Sequence, residues 1–235
     1  MPIPLHQIRT LSRSSRTPWL ILVLLVCATV GWSLCRSASL DVARTQAALS
    51  RTTEIANKRV HYVTPRQLLA SNAMMDRKLS ALSALGDDGE RRDWPELSAG
   101  QPVVFVFVKE GCPCNVDFEP FFHRVERLYR GSVRFAAVID GDVAAARAYA
   151  EELNVPYPVL ADPEHALIRK FGAENGGYVA LLAGDGTIEG FWPGCSADGL
   201  RDLGRRIARL GEIEERPLDV SGMTRPLITG CPFEL

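Results

Sequence analysis

The sequence predicts a mixed α/β sheet with helices on both faces, preceded by an N-terminal transmembrane helix and a helical spacer. Three observations carry this reading. Val103 to Val108 is an unbroken run of valine and phenylalanine, the length and composition of a strand buried on both faces of a sheet. Further strand-like apolar runs then alternate with helix-period segments and end in a hairpin and a helix, the order of a sheet covered on both sides. Between Arg16 and Arg36 no residue is charged. As a helix that stretch reaches about 28 Å, close to the ~30 Å hydrocarbon core of a bilayer.

The chain has 235 residues, with 27 Lys and Arg against 28 Asp and Glu. That length allows one good core plus appendages. The near balance of charge offers no basic stripe for nucleic acid and no acidic block of the disordered kind. The six cysteines fall into three groups. Cys27 and Cys35 belong to the apolar segment, Cys112 and Cys114 form a pair, and Cys195 and Cys231 stand alone. This is not the framework of a disulfide-stapled mini-protein.

Residues 1–16 are a short arm and 17–36 a signal anchor. Trp19 and Trp32 sit near the ends of the apolar span, where interfacial aromatics belong. The arm carries Arg9, Arg13 and Arg16 without an acid, which places the N-terminus inside and the body outside. In a bacterium the expected setting is the inner membrane, crossed once, with the soluble domain in the periplasm. A cleaved signal peptide is the alternative. Ser37-Ala38-Ser39 offers small residues for a peptidase, but Arg36 and the long apolar run argue against cleavage.

Residues 37–100 read as a mostly helical, membrane-proximal spacer. Leu40 to Lys58 is a polar helix. Thr64 is an N-cap with Pro65 at the first helical position, opening a helix to about Leu85. Met74 and Met75 inside it are better suited to filling gaps in packing than to holding a metal. Gly86 to Arg92 is charged and turn-like, and Leu97 to Pro102 leads into the main domain.

The main domain spans 101–211. After the strand at Val103 come Lys109, Glu110 and Gly111, then the helix from Asn115 to about Arg130, with Pro120 inside it. Val133 to Ile139 is a second buried strand, and Val143 to Leu153 an Ala-rich helix. Pro156 to Ala161 is extended, and Pro163 to Phe171 is a short helix. Strands at Tyr178 to Leu182 and Thr187 to Trp192 join through Gly184-Asp185-Gly186, a hairpin signal. Ser196 caps the last helix, to about Leu210. Residues 212–235 form a C-terminal tail.

Chemistry concentrates at Cys112-Pro113-Cys114. The two thiols sit where a buried strand hands over to a helix N-terminus. Unpaired N–H groups and a partial positive charge there favour thiolate over thiol.

The element order, with a cysteine motif between the first strand and its helix, resembles the thioredoxin superfamily, in particular its redoxin (AhpC/TSA-like) members. The segment PYPVLADPEHALIRKFGAENGGYVALLAGDGTIEGFWPG is similar to their second half. The resemblance implies a thioredoxin-like fold over the main domain and protein thiols or disulfides as substrates. In thioredoxin the first cysteine lies eight residues before the helix proline, as Cys112 does before Pro120, so Cys112 matches the nucleophile. Cys114 falls one position short of the usual resolving cysteine, whose place Asn115 takes. The family's cis-proline would fall at Gly176 to Tyr178, and this chain has no proline there. The peroxiredoxin pattern P-x-x-x-T/S-x-x-C is also absent. Within such a fold Cys195, after the last hairpin strand, comes to the edge that carries the motif. It is a candidate third thiol, against the alternative of a buried helix-start residue. Cys231, in the tail, has no assigned role.

The expected activity is that of a membrane-anchored thiol–disulfide oxidoreductase with Cys112, Cys114 and Cys195 as candidate catalytic residues and no cofactor. Two alternatives remain. The same three thiols could bind a soft metal such as Cu(I), or the domain could bind partners without redox chemistry. Helical phase carries His123 away from the thiols, as a surface or packing histidine, and His61 and His165 have no partner at ligand spacing.

Overall fold

The computed structural model of the chain describes residues 60–235. The expected anchor over 17–36, with Cys27 and Cys35, and the polar helix over Leu40 to Lys58 lie outside the described residues. Among those described, no helix is long and apolar enough to cross a membrane.

The elements run β1 (His61–Tyr62), α1 (Pro65–Asn72), β2 (Ser83–Gly86), β3 (Arg91–Asp93), α2 (Trp94–Ser98), β4 (Val103–Val108), α3 (Pro113–Tyr129), β5 (Arg134–Ile139), α4 (Val143–Leu153), β6 (Val159–Ala161), α5 (Ala166–Phe171), β7 (Val179–Leu182), β8 (Ile188–Trp192), α6 (Ala197–Leu210) and β9 (Ile228–Thr229). Seven strands form one sheet in the order β3-β2-β6-β5-β4-β7-β8, and β1 pairs with β9 apart from it. β4, β5 and β6 are parallel. β7 and β8 continue the sheet antiparallel on one side, and β2 joins β6 antiparallel on the other. The predicted mixed sheet with helices on both faces is the observed one.

β4 is central because its sequence leaves it nowhere else to go. None of its six side chains is more than 2% exposed. Val104, Val106 and Val108 join the core that also takes up Phe118, Phe122 and Val125 of α3 and Leu203 and Ile207 of α6. Phe105 and Phe107 point to the opposite core, where their rings lie 5.4 and 5.0 Å from that of Phe171. Each such burial is worth about 1.5–3 kcal/mol, so a polar residue anywhere in β4 would displace it from the centre. α3 runs on through Pro120, which forfeits only the bond to the Val116 carbonyl.

The mostly helical spacer is corrected for the described residues. α1 does start at the Thr64 cap, where a full capping box with Gln67 forms. It ends at Asn72 rather than near Leu85. Asp76 takes a left-handed φ of 64°, and the chain then runs along the far hairpin: Asp76 N–H donates to the Ile188 carbonyl (3.0 Å) and Leu79 N–H to that of Gly186 (2.8 Å). Leu82 and Ala84 are buried while Ser83 and Leu85 are exposed, the period of a strand. Residues 83–93 are therefore an edge hairpin of the sheet, turning at Gly89 with φ of 85°. Met74 is buried in the second core and Met75 packs against it, as gap-fillers do.

The tail over 212–235 is likewise no loose appendage. The Arg216 N–H donates to the Tyr129 hydroxyl (3.2 Å), Ile228 and Thr229 form β9, and Phe233 is buried in the second core. The described residues all belong to one compact unit.

Candidate active site

The loop after β4 leads to the start of α3, where both cysteines of the motif stay buried in the first core. Lys109 Nζ pairs with Asp140 Oδ2 at 2.7 Å, and Glu110 N–H donates to Asp140 Oδ1 at 2.6 Å. Asp140 directly follows β5 with its carboxylate almost wholly buried, so the end of the neighbouring strand pins the loop. Gly111 then turns with φ of 69°, and Cys112 becomes the N-cap of α3. Pro113 at the first helical position has no N–H to give. The first donor the helix offers to the Cys112 sulfur is therefore that of Cys114.

Four cysteines lie among the described residues, all as thiols. Cys112 has its acidity raised strongly, its pKa lowered from an ordinary 9.0 to about 5. The Cys114 side chain contributes most; burial opposes it, and the backbone N–H and thiol of Cys231 and the Cys114 N–H add to the stabilisation. The Cys231 N–H lies 3.1 Å from Cys112 Sγ. Cys231 itself is pushed up to about 11, first by burial and then by its interaction with Cys112, while Lys109 pulls the other way. The arrangement thus favours a thiolate on Cys112 and a protonated thiol on Cys231 at neutral pH.

Cys112 and Cys114 lie together at the start of α3, and the further thiol that interacts with Cys112 is Cys231. Cys195 is 2% exposed and lies with Val179, Trp192, Leu200 and Leu203. Burial and the Glu119 charge push its pKa up. It is in the same core as the pair, but the groups that tune Cys112 are Cys114 and Cys231. One signal for Cys231 was available in the chain: Gly230-Cys231-Pro232 repeats Gly111-Cys112-Pro113.

The place of the absent proline is explained by packing. A Cβ at Gly176 would stand 2.9 Å from Asn115 Oδ1 and 3.0 Å from the Lys109 nitrogen. Asn115 occupies this gap because its Nδ2 donates to the Lys109 carbonyl at 2.9 Å. The same loop holds the tail: Gly176 N–H donates to the Cys231 carbonyl (2.9 Å), and Gly230 N–H returns to the Gly176 carbonyl (2.6 Å). Extended chain therefore lies across the loop beside the thiolate.

Beneath the site Glu119 is buried and accepts from the Tyr149 hydroxyl at 2.7 Å and from that of Tyr157. His123 Nε2 is 3.3 Å from Glu119 Oε1. Both phenols are pushed up, by burial first and then by the Glu119 charge. Sequence reading left Glu119 and Asp140 without a role, since lone acids carry no spacing signal. As for metals, no group of three or more His, Cys, Asp or Glu among the described residues could hold an ion.

A family model described as AhpC/TSA family matches residues 75–188. No curated protein matches the chain. Among solved structures, a hypothetical protein from Sinorhizobium meliloti aligns with a TM-score of 0.54 at 15% identity, over 74% of this chain and 95% of its own. A candidate protein disulfide isomerase from Bacteroides thetaiotaomicron aligns with a TM-score of 0.53 at 14% identity, over 66% and 95%. Peroxidoxin BcpB from Mycobacterium tuberculosis aligns with a TM-score of 0.50 at 18% identity, over 60% and 99%. At these identities the likeness is one of fold.

Proposed function

We propose that this chain, which has the thioredoxin-like redoxin fold, is a thiol–disulfide oxidoreductase acting on protein thiols and disulfides, with Cys112 as the attacking thiolate. One observation carries the reading. Cys112 stands at a helix N-terminus with the Cys114 thiol and the Cys231 N–H and thiol turned toward its sulfur. Thiolate is the reactive species in disulfide exchange, and a second thiol in contact is what releases a mixed disulfide. Extended chain already hydrogen-bonded across Gly176 supports a peptide as the substrate class.

The site works in either direction. To reduce a substrate, Cys112 attacks one sulfur of its disulfide, the other leaves as a thiolate, and a second protein thiol then displaces the bound sulfur. The protein ends as a disulfide and the substrate as two thiols. A dithiol reductant returns it to the start. Reduction potential sets which direction prevails.

The uncharged stretch over 17–35 supports the further proposal that this domain is held at a bacterial inner membrane, facing an oxidising periplasm. A membrane-impermeant thiol reagent applied to intact spheroplasts after reduction should label Cys231. Labelling only after lysis would place the domain on the other side.

The redox reading is tested by equilibrating the reduced chain in a series of glutathione buffers, trapping thiols by alkylation and mapping them by mass spectrometry. A reversible two-electron transition that includes Cys112 is the expected result. Thiols that stay unpaired across the whole range would overturn the reading and turn attention to Cu(I) titration.

A further inference from the structure

The strap over residues 228–233 is built to lie where it does. β9 pairs with β1, with Thr229 opposite His61. Cys195 N–H donates to the Ile228 carbonyl at 2.8 Å, and Ile228 N–H returns to that of Cys195 at 3.1 Å. Gly230 and Cys231 make the two backbone bonds to Gly176. Asn175 Nδ2 donates to the Gly230 carbonyl at 3.0 Å, and its Oδ1 accepts from Gln67 at 2.9 Å. Phe233 N–H reaches the Glu174 carbonyl at 2.9 Å, and its ring is buried. The strap is held on both edges and anchored at both ends.

Two glycines are needed for this approach. A Cβ on Gly194 would stand 2.2 Å from the Ile228 carbonyl oxygen, and one on Gly230 would stand 2.7 Å from that of Gly176. Such contacts leave room only for hydrogen. What the strap delivers at its middle is a cysteine whose N–H and thiol both face Cys112.

We infer that Cys231, carried by this strap, is the resolving thiol of the site, and that the oxidised protein closes a Cys112–Cys231 disulfide. The inference rests on the oxidoreductase reading above and assigns its second thiol. Cys114 is fixed in the first turn of α3, where closing a ring through one proline requires that turn to distort. Cys231 comes on a separate segment with no such constraint. Cys114 then serves as a positioning residue, its thiol and N–H stabilising the Cys112 thiolate.

The sequence of events follows from burial. With the strap docked, Cys112 is 4% exposed, so a substrate disulfide reaches it when the strap lifts. Cys112 takes one substrate sulfur and the other departs as thiolate. The strap returns, Cys231 gives up its proton to solvent and attacks Cys112 Sγ. The bond to the substrate sulfur breaks with its electron pair, leaving a second thiolate. Two electrons have moved from the protein to the substrate. While Cys112 is an anion it suppresses ionisation of Cys231; once Cys112 is in a mixed disulfide that charge is gone and Cys231 is freed to attack.

The test uses the reduced full chain with oxidised glutathione as the probe, followed by intact mass and by peptide mapping under non-reducing conditions. The wild-type chain should lose two hydrogens, retain no glutathione, and yield a peptide pair joining Cys112 to Cys231. Cys114→Ser should form the same pair. Cys231→Ser should accumulate one glutathione on Cys112, its release slowed at least about tenfold. A Cys112–Cys114 pair in the wild-type chain, or Cys231→Ser releasing glutathione at the wild-type rate, would overturn the inference and leave the oxidoreductase reading standing. Failure of the wild-type chain to take up glutathione or to form any disulfide at Cys112 would overturn both. Mapping the unmutated chain decides the matter even if a variant fails to fold.

Discussion

Cys195 and Cys231 are both remote in sequence from the Cys-Pro-Cys motif, and both belong to the surroundings of one short segment. Cys195 pairs its backbone with Ile228, and Cys231 lies three residues beyond. Their side chains meet opposite environments. Cys195 is sealed among Val179, Trp192 and Leu200, with the Glu119 charge as its polar influence. Cys231 is partly exposed and is aimed at a thiolate. The difference teaches that nearness to a motif does not make a thiol reactive. Water access and a charged partner do.

The sharpest way to break this comparison is by pH. Cys112, lowered to about 5, should be alkylated by iodoacetamide with a rate that climbs through about pH 5 and is flat by neutrality. Cys195, pushed up by burial and by Glu119, should lag by about a hundredfold or more at pH 7, because thiolate is the reacting form. Stability has the matching sign. A folded pKa below the unfolded one stabilises the fold above the unfolded value near 9, and that contribution is lost as pH falls through about 5. The stability advantage of the reduced wild-type chain over Cys112→Ser should therefore shrink on acidification, as followed by urea unfolding. Equal alkylation of Cys112 and Cys195 at pH 7 would remove the distinction between them.

The regions differ in how far they were legible in the sequence. The central strands and their helices were legible because each is set by its own composition: β4 by an apolar run, α3 by its period, though it starts at Pro113 rather than Asn115, the β7–β8 hairpin by Gly184-Asp185-Gly186. The edge hairpin was missed because β3 is Arg91-Arg92-Asp93, charged as a solvent edge tends to be, and because Leu79, Leu82 and Leu85 recur every three residues, a spacing that also fits a helix. The pair at the helix N-terminus was legible and the strap was not. Its residues show no periodicity, and its hydrogen bonds reach across more than fifty positions, from 230 to 175. Only the repeated Gly-Cys-Pro pointed to it. Cys195 drew attention instead, since topology alone brings it to the right edge while saying nothing of where its side chain faces.

A smaller effect sharpens the same contrast without touching any thiol. Gly194→Ala places a methyl 2.2 Å from the Ile228 carbonyl oxygen, a backbone atom that yields only if β9 moves off. The Cys195 end of the strap should then loosen and withdraw the Cys231 N–H from Cys112. Losing a hydrogen bond to a charged group costs about 1.5–3 kcal/mol, which corresponds to a rise of about one to two units in the Cys112 midpoint. Two rates should move in opposite directions. Iodoacetamide should reach Cys112 faster above neutrality, since its cover is gone, and glutathione bound there should be released more slowly, since Cys231 is no longer held beside it. A merely destabilised fold would expose Cys195 as well. Alkylation confined to Cys112 and Cys231 would show that the strap lifts as a unit from an intact core. A midpoint and release rate unchanged from the wild-type chain would mean that Cys231 reaches Cys112 without the docking that Gly194 permits.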